Sequence, residues 1–237
     1  MQLLVRTWNL FHGNAVPTQR RAFLEEMVRL ATADAPDVLC LQEVPVWALS
    51  RLGAWSGMTS IGAIAARPRL LSAELGRLVT DVHHGLLRSA VTGQANAVLV
   101  KGTNTVLETR SVTISRRGEG ERRCCQAVRL AGVGLVGNFH VTTELADGQF
   151  RRAAAVVEEL ADPDEPVILC GDANVRPPEG RTYEELRNWG FSGPAPGIDQ
   201  ILVRGLPSTP PFVWPEERRR TGGRLLSDHA PVELLVG

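Results

Sequence analysis

The sequence predicts an α/β domain in which two β-sheets pack against each other with helices on the outside. Three observations carry this expectation. Short apolar or β-branched runs bounded by Gly-containing turns recur along the chain and outnumber the helical patterns. Two well-separated segments place apolar residues at helical spacing. The 237 residues, 43% hydrophobic and 22% charged, form an ordinary soluble composition. At that length one domain over 1–237 is expected to bury its core without disulfide or metal staples.

In chain order, residues 2–8 read as the first strand. Residues 18–33 put Phe23, Met27, Leu30 and Ala31 on one helical face, with Pro17 suited to the first turn. Residues 37–42 (DVLCLQ) form an apolar strand buried on both faces. Strands follow at 59–66, 95–101, 104–116, 123–130 and 133–141, while 69–92 is open between helix and loop. The sign-alternating RRGEGERR at 116–123 reads as a hairpin connection. A second amphipathic helix at 147–161 turns Phe150, Ala154, Val157 and Leu160 inward, ahead of a buried strand at 166–171. Pro and Gly make 175–197 a loop with one short helix near 182–189, and strands at 198–203 and 231–236 close the chain. No repeat, low-complexity tract or linker interrupts this order.

Composition also excludes. No apolar run approaches the roughly 20 residues of a membrane helix, so no membrane insertion is expected. MQLLVRTWNL reads as a strand rather than a leader, which makes the cytoplasm the default location. A formal net charge of zero argues against a salt-sensitive, high-affinity nucleic-acid binder and leaves room for a nuclease with a local basic rim. Lys101 is the only lysine; the arginine bias runs the whole length and reads as genome composition. Cys40 and Cys170 sit in apolar runs, and Cys124 and Cys125 are adjacent without zinc-site spacing, so reduced, structural thiols are expected.

Chemistry is concentrated at strand ends. Asn9, Glu43, Asn96, His140, the Asp172/Asn174 pair and the Asp228/His229 pair each sit at or next to an end of an expected strand, where α/β folds gather functional groups. Carboxylate and amide oxygens are hard donors suited to Mg²⁺ or Mn²⁺, and imidazoles beside such an ion can stabilise a developing phosphorane or handle protons. The inventory indicates metal-assisted phosphoryl hydrolysis by water, without a cysteine or serine nucleophile.

The ordered segments TWNLFHG, LCLQEV, GQANAVLV, NFHVT, ILCGDANV, GIDQILV and LLSDHAPV resemble the endonuclease/exonuclease/phosphatase family from residue 5 to residue 234. Each is weak alone; GDxN, a later IDxI and a terminal SDHxPV form a specific set. The resemblance implies a four-layer αββα sandwich with its site at one edge of the two sheets. It implies Glu43, Asn9 and Asp228 as ligands of Mg²⁺ or Mn²⁺, Asp172 and Asn174 as the groups that activate and orient water, and His229 with Asp199 at the scissile phosphate. His140 matches the second family histidine and Asn96 the amide of the G-N-A-[IV]-L strand, which makes Asn96 a phosphate ligand or else a turn-stabilising amide. Departures touch the substrate more than the chemistry. VLVKG puts Lys101 where an arginine is usual, and Tyr183, the only tyrosine, follows GDAN instead of standing mid-chain. The glutamate that supports the His140 equivalent in deoxyribonucleases has only Glu74 and Asp81 as candidates.

Other residues stay open. His12 is either a substrate contact or a loop histidine satisfied by backbone, and His83 and His84, being adjacent, diverge too far to chelate well. The run PEERRRTGGR at 215–224 is either a solvated loop or an overhang from which Arg218, Arg219, Arg220 or Arg224 grips phosphate through bidentate geometry. The leading expectation is a phosphodiesterase acting on a phosphate ester, nucleic acid among the candidates, as a monomer; no protein partner can be inferred. The alternatives are a phosphomonoesterase or phospholipid-type hydrolase of the same fold, or a non-catalytic binding module.

Overall fold

A computed structural model describes residues 2–19, 21–68, 78 and 91–237. His83, His84, Glu74 and Asp81 lie outside the described residues, as does most of 69–92.

The expected strands appear, most within a residue or two of their expected ends. One sheet has six strands in the order β11 (Phe212–Val213), β14 (Val232–Val236), β1 (Leu3–Asn9), β3 (Val38–Val44), β5 (Gln94–Val100) and β4 (Thr59–Ala66). Only the β1–β3 pairing in it is parallel. The second sheet runs β10 (Asp199–Arg204), β9 (Val167–Asp172), β8 (Gly134–His140), β7 (Cys124–Leu130) and β6 (Val106–Thr113), with β8–β9 as its parallel pair. A small third sheet joins β12 (Arg220–Thr221), β13 (Arg224–Leu226) and β2 (Ala15–Val16).

Strand alternation sends two sets of apolar side chains to opposite faces, and each set finds a different partner. Between the large sheets, Val5, Val38, Cys40 and Val98 meet Val136, Ile168, Cys170 and Ile201. On the outer face of the first sheet, α1 (Leu24–Thr32) and α2 (Leu49–Ser56) cover Leu39, Leu41 and Leu99. On the outer face of the second, α3 (Ala146–Leu160) and α4 (Thr182–Asn188) cover Phe139 and Leu169. The layers are therefore helix, sheet, sheet, helix: the αββα sandwich.

Some elements differ from expectation. The first helix starts at Leu24 rather than at Thr18, because Thr18 and Gln19 are exposed and the apolar face begins only at Phe23. Pro17 consequently belongs to the connection after β2, behind a cis Val16–Pro17 bond. Helix α2 was not anticipated; its signals are Leu49 and Leu52 at i, i+3 and Gly57, which ends it at φ 70°. The 215–224 run is mostly solvent-exposed, as a solvated segment would be, but it is ordered into a short 3₁₀ turn at Glu216–Arg219 followed by β12 and β13, with Arg219 buried. No helix among the described residues is long and apolar enough to cross a membrane.

Candidate active site

The two parallel strand pairs explain where the polar groups gather. β1 and β3 run side by side so that Asn9 lies opposite Gln42, and β8 and β9 run side by side so that His140 lies opposite Asp172. Antiparallel β10 begins at the same edge, with Asp199 opposite Asp172. Gly171 permits this alignment: at φ 151° a Cβ there would stand 2.0 Å from the Phe139 carbonyl oxygen. Glu43 leaves the β3 ladder at an irregularity between Leu41 and Val44, in a left-handed conformation (φ 53°).

These residues open onto a cavity of about 430 Å³ lined by Glu43, Asp172, Asn174, Asp228, His140 and His229, with Arg123, Phe11 and the glutamates 119, 121 and 144 around them. Asp172 is buried and doubly held: Asn9 Nδ2 donates to Oδ2 at 3.0 Å and the Asn174 backbone N–H to Oδ1 at 2.9 Å. Burial, with Asp199 adding repulsion, pushes its carboxyl up to about 7 against the pull of His229. Glu43 is likewise raised by burial, opposed by Arg123, Asn9 and His229 and reinforced by Asp228.

His229 hangs on Asp199, its Nδ1 lying 2.9 Å from Oδ2 and 3.1 Å from Oδ1. Burial alone would lower this imidazole. The Asp199 hydrogen bond and charge, with Asp172 and Asp228 beyond, overcome that and hold it up at about 10. Its Nε2 points into the cavity, 3.8 Å from Asp172 and 3.9 Å from Asp228. The environment of His140 is the reverse. Its Nδ1 faces Arg123 Nη1 at 2.7 Å and Gln94 Nε2 at 2.9 Å, and burial, then Arg123 and the other two histidines, drive it well below the usual imidazole range.

The remaining expected residues fall behind or beside the cavity. His12 Nε2 is 3.4 Å from Glu43 Oε2. Asn96 is turned to backbone, donating to the Cys124 carbonyl at 3.1 Å and thereby tying the two sheets together. Arg224 reaches back to the Pro17 carbonyl at 2.7 Å and is not drawn into the cavity. Lys101 stands 3.6 Å from Asp37.

The family model for the endonuclease/exonuclease/phosphatase family matches residues 7–229. The chain belongs to that family. No curated protein matches it by sequence. Among solved structures, a functionally unknown conserved protein from Enterococcus faecalis superposes with a TM-score of 0.72 at 18% identity, covering 99% of each chain. A family member from Beutenbergia cavernae gives 0.71 at 19% identity, covering 99% of this chain and 71% of its own. The mannosyl-6-phosphatase Bt3783 of Bacteroides thetaiotaomicron gives 0.69 at 16%, covering 99% of this chain and all of its own. Such identities establish the shared sandwich and leave substrate to this chain's own residues.

Within this family member two residues beside the cavity were not singled out in the sequence, and a third takes a place other than the one expected of it. Arg123 and Gln94 occupy the place beside His140 where a carboxylate was expected; their only signal was position, Gln94 just before one expected strand and Arg123 opening another. Arg219 was considered as a phosphate grip. Instead it is buried, and its Nη1 donates to the carbonyls of Leu226, Ser227 and His229 at 3.1, 2.9 and 3.0 Å, clamping the loop that carries Asp228 and His229.

The donor set suits a hard divalent ion. Asp172, Asp199 and His229 bring ligand atoms within 4.8 Å of one another, but His229 Nδ1 is already committed to Asp199. Glu43, Glu144, Asp172 and Asp228 face the cavity without an ion pair to lysine or arginine among the described residues; Asp172 is held by Asn9 and Asn174, and Glu43 is raised by burial as a carboxylate awaiting positive charge would be.

Proposed function

We propose that this protein is a divalent-metal-dependent phosphodiesterase that hydrolyses a phosphate ester by direct attack of water. The observation that carries the reading is the convergence on one cavity of Glu43, Asp172, Asp228 and a histidine held protonated by Asp199. Glu43 and Asp228 would hold Mg²⁺ or Mn²⁺, with Asn9 behind them. The ion, when bound, supplies Lewis-acid polarisation of the phosphoryl oxygen.

The protein's own residues account for the rest. Asp172, fixed at both oxygens by Asn9 and Asn174, orients the attacking water and accepts its proton; a carboxyl raised toward neutrality is well matched to that task. His229 donates from Nε2 to the phosphoryl oxygen as negative charge grows there, and Asp199 keeps the ring charged and aimed. Among the described residues lining the cavity, the cations are His229 and Arg123, and Arg123 is already paired with Glu121 at 3.0 Å. Facing Glu119, Glu121 and Glu144, so little positive charge suits the single charge of a diester better than the double charge of a monoester.

The test is turnover of bis-p-nitrophenyl phosphate against p-nitrophenyl phosphate, before and after exhaustive chelation. The diester should be cleaved faster, chelation should abolish turnover, and Mg²⁺ or Mn²⁺ should restore it. Full activity in the chelated protein would sink the metal requirement, and faster monoester cleavage would make the enzyme a phosphatase.

A further inference from the structure

His140 and His229 face the same cavity, yet their inner nitrogens meet opposite chemistry. The Nδ1 of His229 meets a carboxylate, which only accepts hydrogen bonds, so that nitrogen carries a proton. The Nδ1 of His140 meets a guanidinium. Every guanidinium nitrogen donates and none accepts, so a 2.7 Å approach by Arg123 Nη1 requires a bare lone pair on Nδ1. Gln94 Nε2 lies 2.9 Å from the same nitrogen, an amide N–H that suits a bare Nδ1. The ring proton of His140 must then sit on Nε2, which points to the carboxylates of the cavity, 3.4 Å from Asp172 Oδ2 and 3.7 Å from Glu43 Oε1.

We propose that Arg123 and Gln94 are positioning residues that lock His140 in its Nε2–H tautomer, making it a neutral hydrogen-bond donor fixed on the reacting phosphate. The site thereby divides its two imidazoles: His229 brings charge, and His140 brings a directed N–H without adding a second cation beside the first. Both positioning groups are built in. Gln94 opens β5 and is buried, and Arg123 is buried just ahead of β7 with its Nη2 held by Glu121 at 3.0 Å. Its Nε has no hydrogen-bond partner among the described residues, so the guanidinium is oriented through its two terminal nitrogens. The part His140 plays in hydrolysis rests on the phosphodiesterase reading; the tautomer does not.

Long-range ¹H–¹⁵N NMR of the ¹⁵N-labelled full chain near pH 7.5 tests this directly, with His140 assigned by its loss in His140→Gln. The wild type should show His140 bare at Nδ1 and protonated at Nε2. Arg123→Met should convert it to a mixture containing the Nδ1–H form and lower kcat by about 10- to 100-fold with little change in KM. Arg123→Lys, which still donates, should keep the tautomer and recover most of the rate, and Gln94→Met should fall between. A protonated Nδ1 in the wild type would overturn the proposal without any variant having to fold. So would an Arg123→Met protein with unchanged tautomer and a raised KM alone, which would make Arg123 a substrate contact. The spectrum stands whether or not phosphate esters turn over, so a failure of the phosphodiesterase reading is seen separately.

Discussion

His229 is neutral in water near pH 7 and charged in this site, because Asp199 accepts from Nδ1 while Asp172 and Asp228 lie on its other side. Its charged form is the working one, so activity should persist through neutral pH and fall as pH rises toward about 10. Asp199→Asn keeps the shape and removes the charge; the alkaline limb of the kcat profile should move to lower pH. His229→Ala should cost about 10²- to 10⁴-fold in kcat, and the double variant should be little worse than His229→Ala alone, since the pair acts as a unit. Multiplying losses would show the two working independently. Asp172 is raised as well, but by desolvation of its charge rather than by a partner. A carboxyl raised from 3.8 to about 7 in the folded state binds more protons than in the unfolded chain, so the metal-free protein loses stability as pH climbs through that interval. Asp172→Asn should therefore abolish turnover and, by removing the titrating carboxyl, flatten the fall of the metal-free protein's melting temperature between pH 3.8 and about 7. An unchanged pH dependence would mean that burying the Asp172 charge carries no such cost.

Strand ends and the turns beyond them carry the site's backbone strain. Among the described residues, five of the seven non-glycine positive-φ positions, Phe11, His12, Glu43, Asn174 and Ser227, belong to this edge of the sandwich. Such conformations cost of order 1–3 kcal/mol each and persist only where surroundings over-determine them. The Ser227–Asp228–His229 turn shows how. Ser227 Oγ donates to the Asn9 carbonyl at 2.7 Å and accepts from the His229 N–H at 3.1 Å, and Trp8 Nε1 donates to the His229 carbonyl at 3.0 Å. Arg219 closes the clamp on three carbonyls. Arg219→Met keeps the bulk and leaves those carbonyls without their cationic donor, so a loss of about 1–3 kcal/mol is expected. Denaturant midpoints should fall accordingly, and kcat should fall with them because His229 loses its anchor. Arg219→Lys, whose ammonium carries three donors on one nitrogen as Nη1 serves three carbonyls, should recover part of both; no recovery would show that the guanidinium's length and shape are needed as well.

At the scale of the molecule, the site exists because two sheets stack with one parallel pair in each, and both pairs end at the same edge. The stacking depends on the inter-sheet core, where Cys40 from β3 and Cys170 from β9 are wholly buried and free. Burial and the neighbouring Cys170 raise the Cys40 thiol well above its usual value, so it stays a neutral, inert packing group. Cys40→Ala should lower stability by about 1–2 kcal/mol through the small void it opens. The kcat of the folded variant should remain within about threefold of wild type. A larger loss of rate would give this thiol a part in the chemistry.

Much of this was legible in the sequence because it is local. Strands alternate or run apolar and helices repeat at 3.6, which gave two packed sheets with helices outside. The family resemblance of the segments from TWN to SDHAPV implied the four-layer sandwich, and Glu43, Asp172, Asp228 and His229, marked by their strand-end positions, line one cavity. The His229–Asp199 pair was foreseen on the family pattern, and the geometry places them in contact. Helix α2 was missed because its eight residues bury only Leu52. Side-chain direction is not local, and there the tertiary structure alone decided. Arg219 and Arg224 come from one charged run, yet one is driven inward to satisfy three buried carbonyls and the other stays outside on Pro17. Asn96 looks like a phosphate ligand by pattern, but the opposing sheet presents a carbonyl that needs a donor. Beside His140, Arg123 and Gln94 come from separate strand ends and become neighbours only when the sheets pack. Periodicity along a chain tells which face a residue takes; which unsatisfied group waits on that face is set by the layer packed against it.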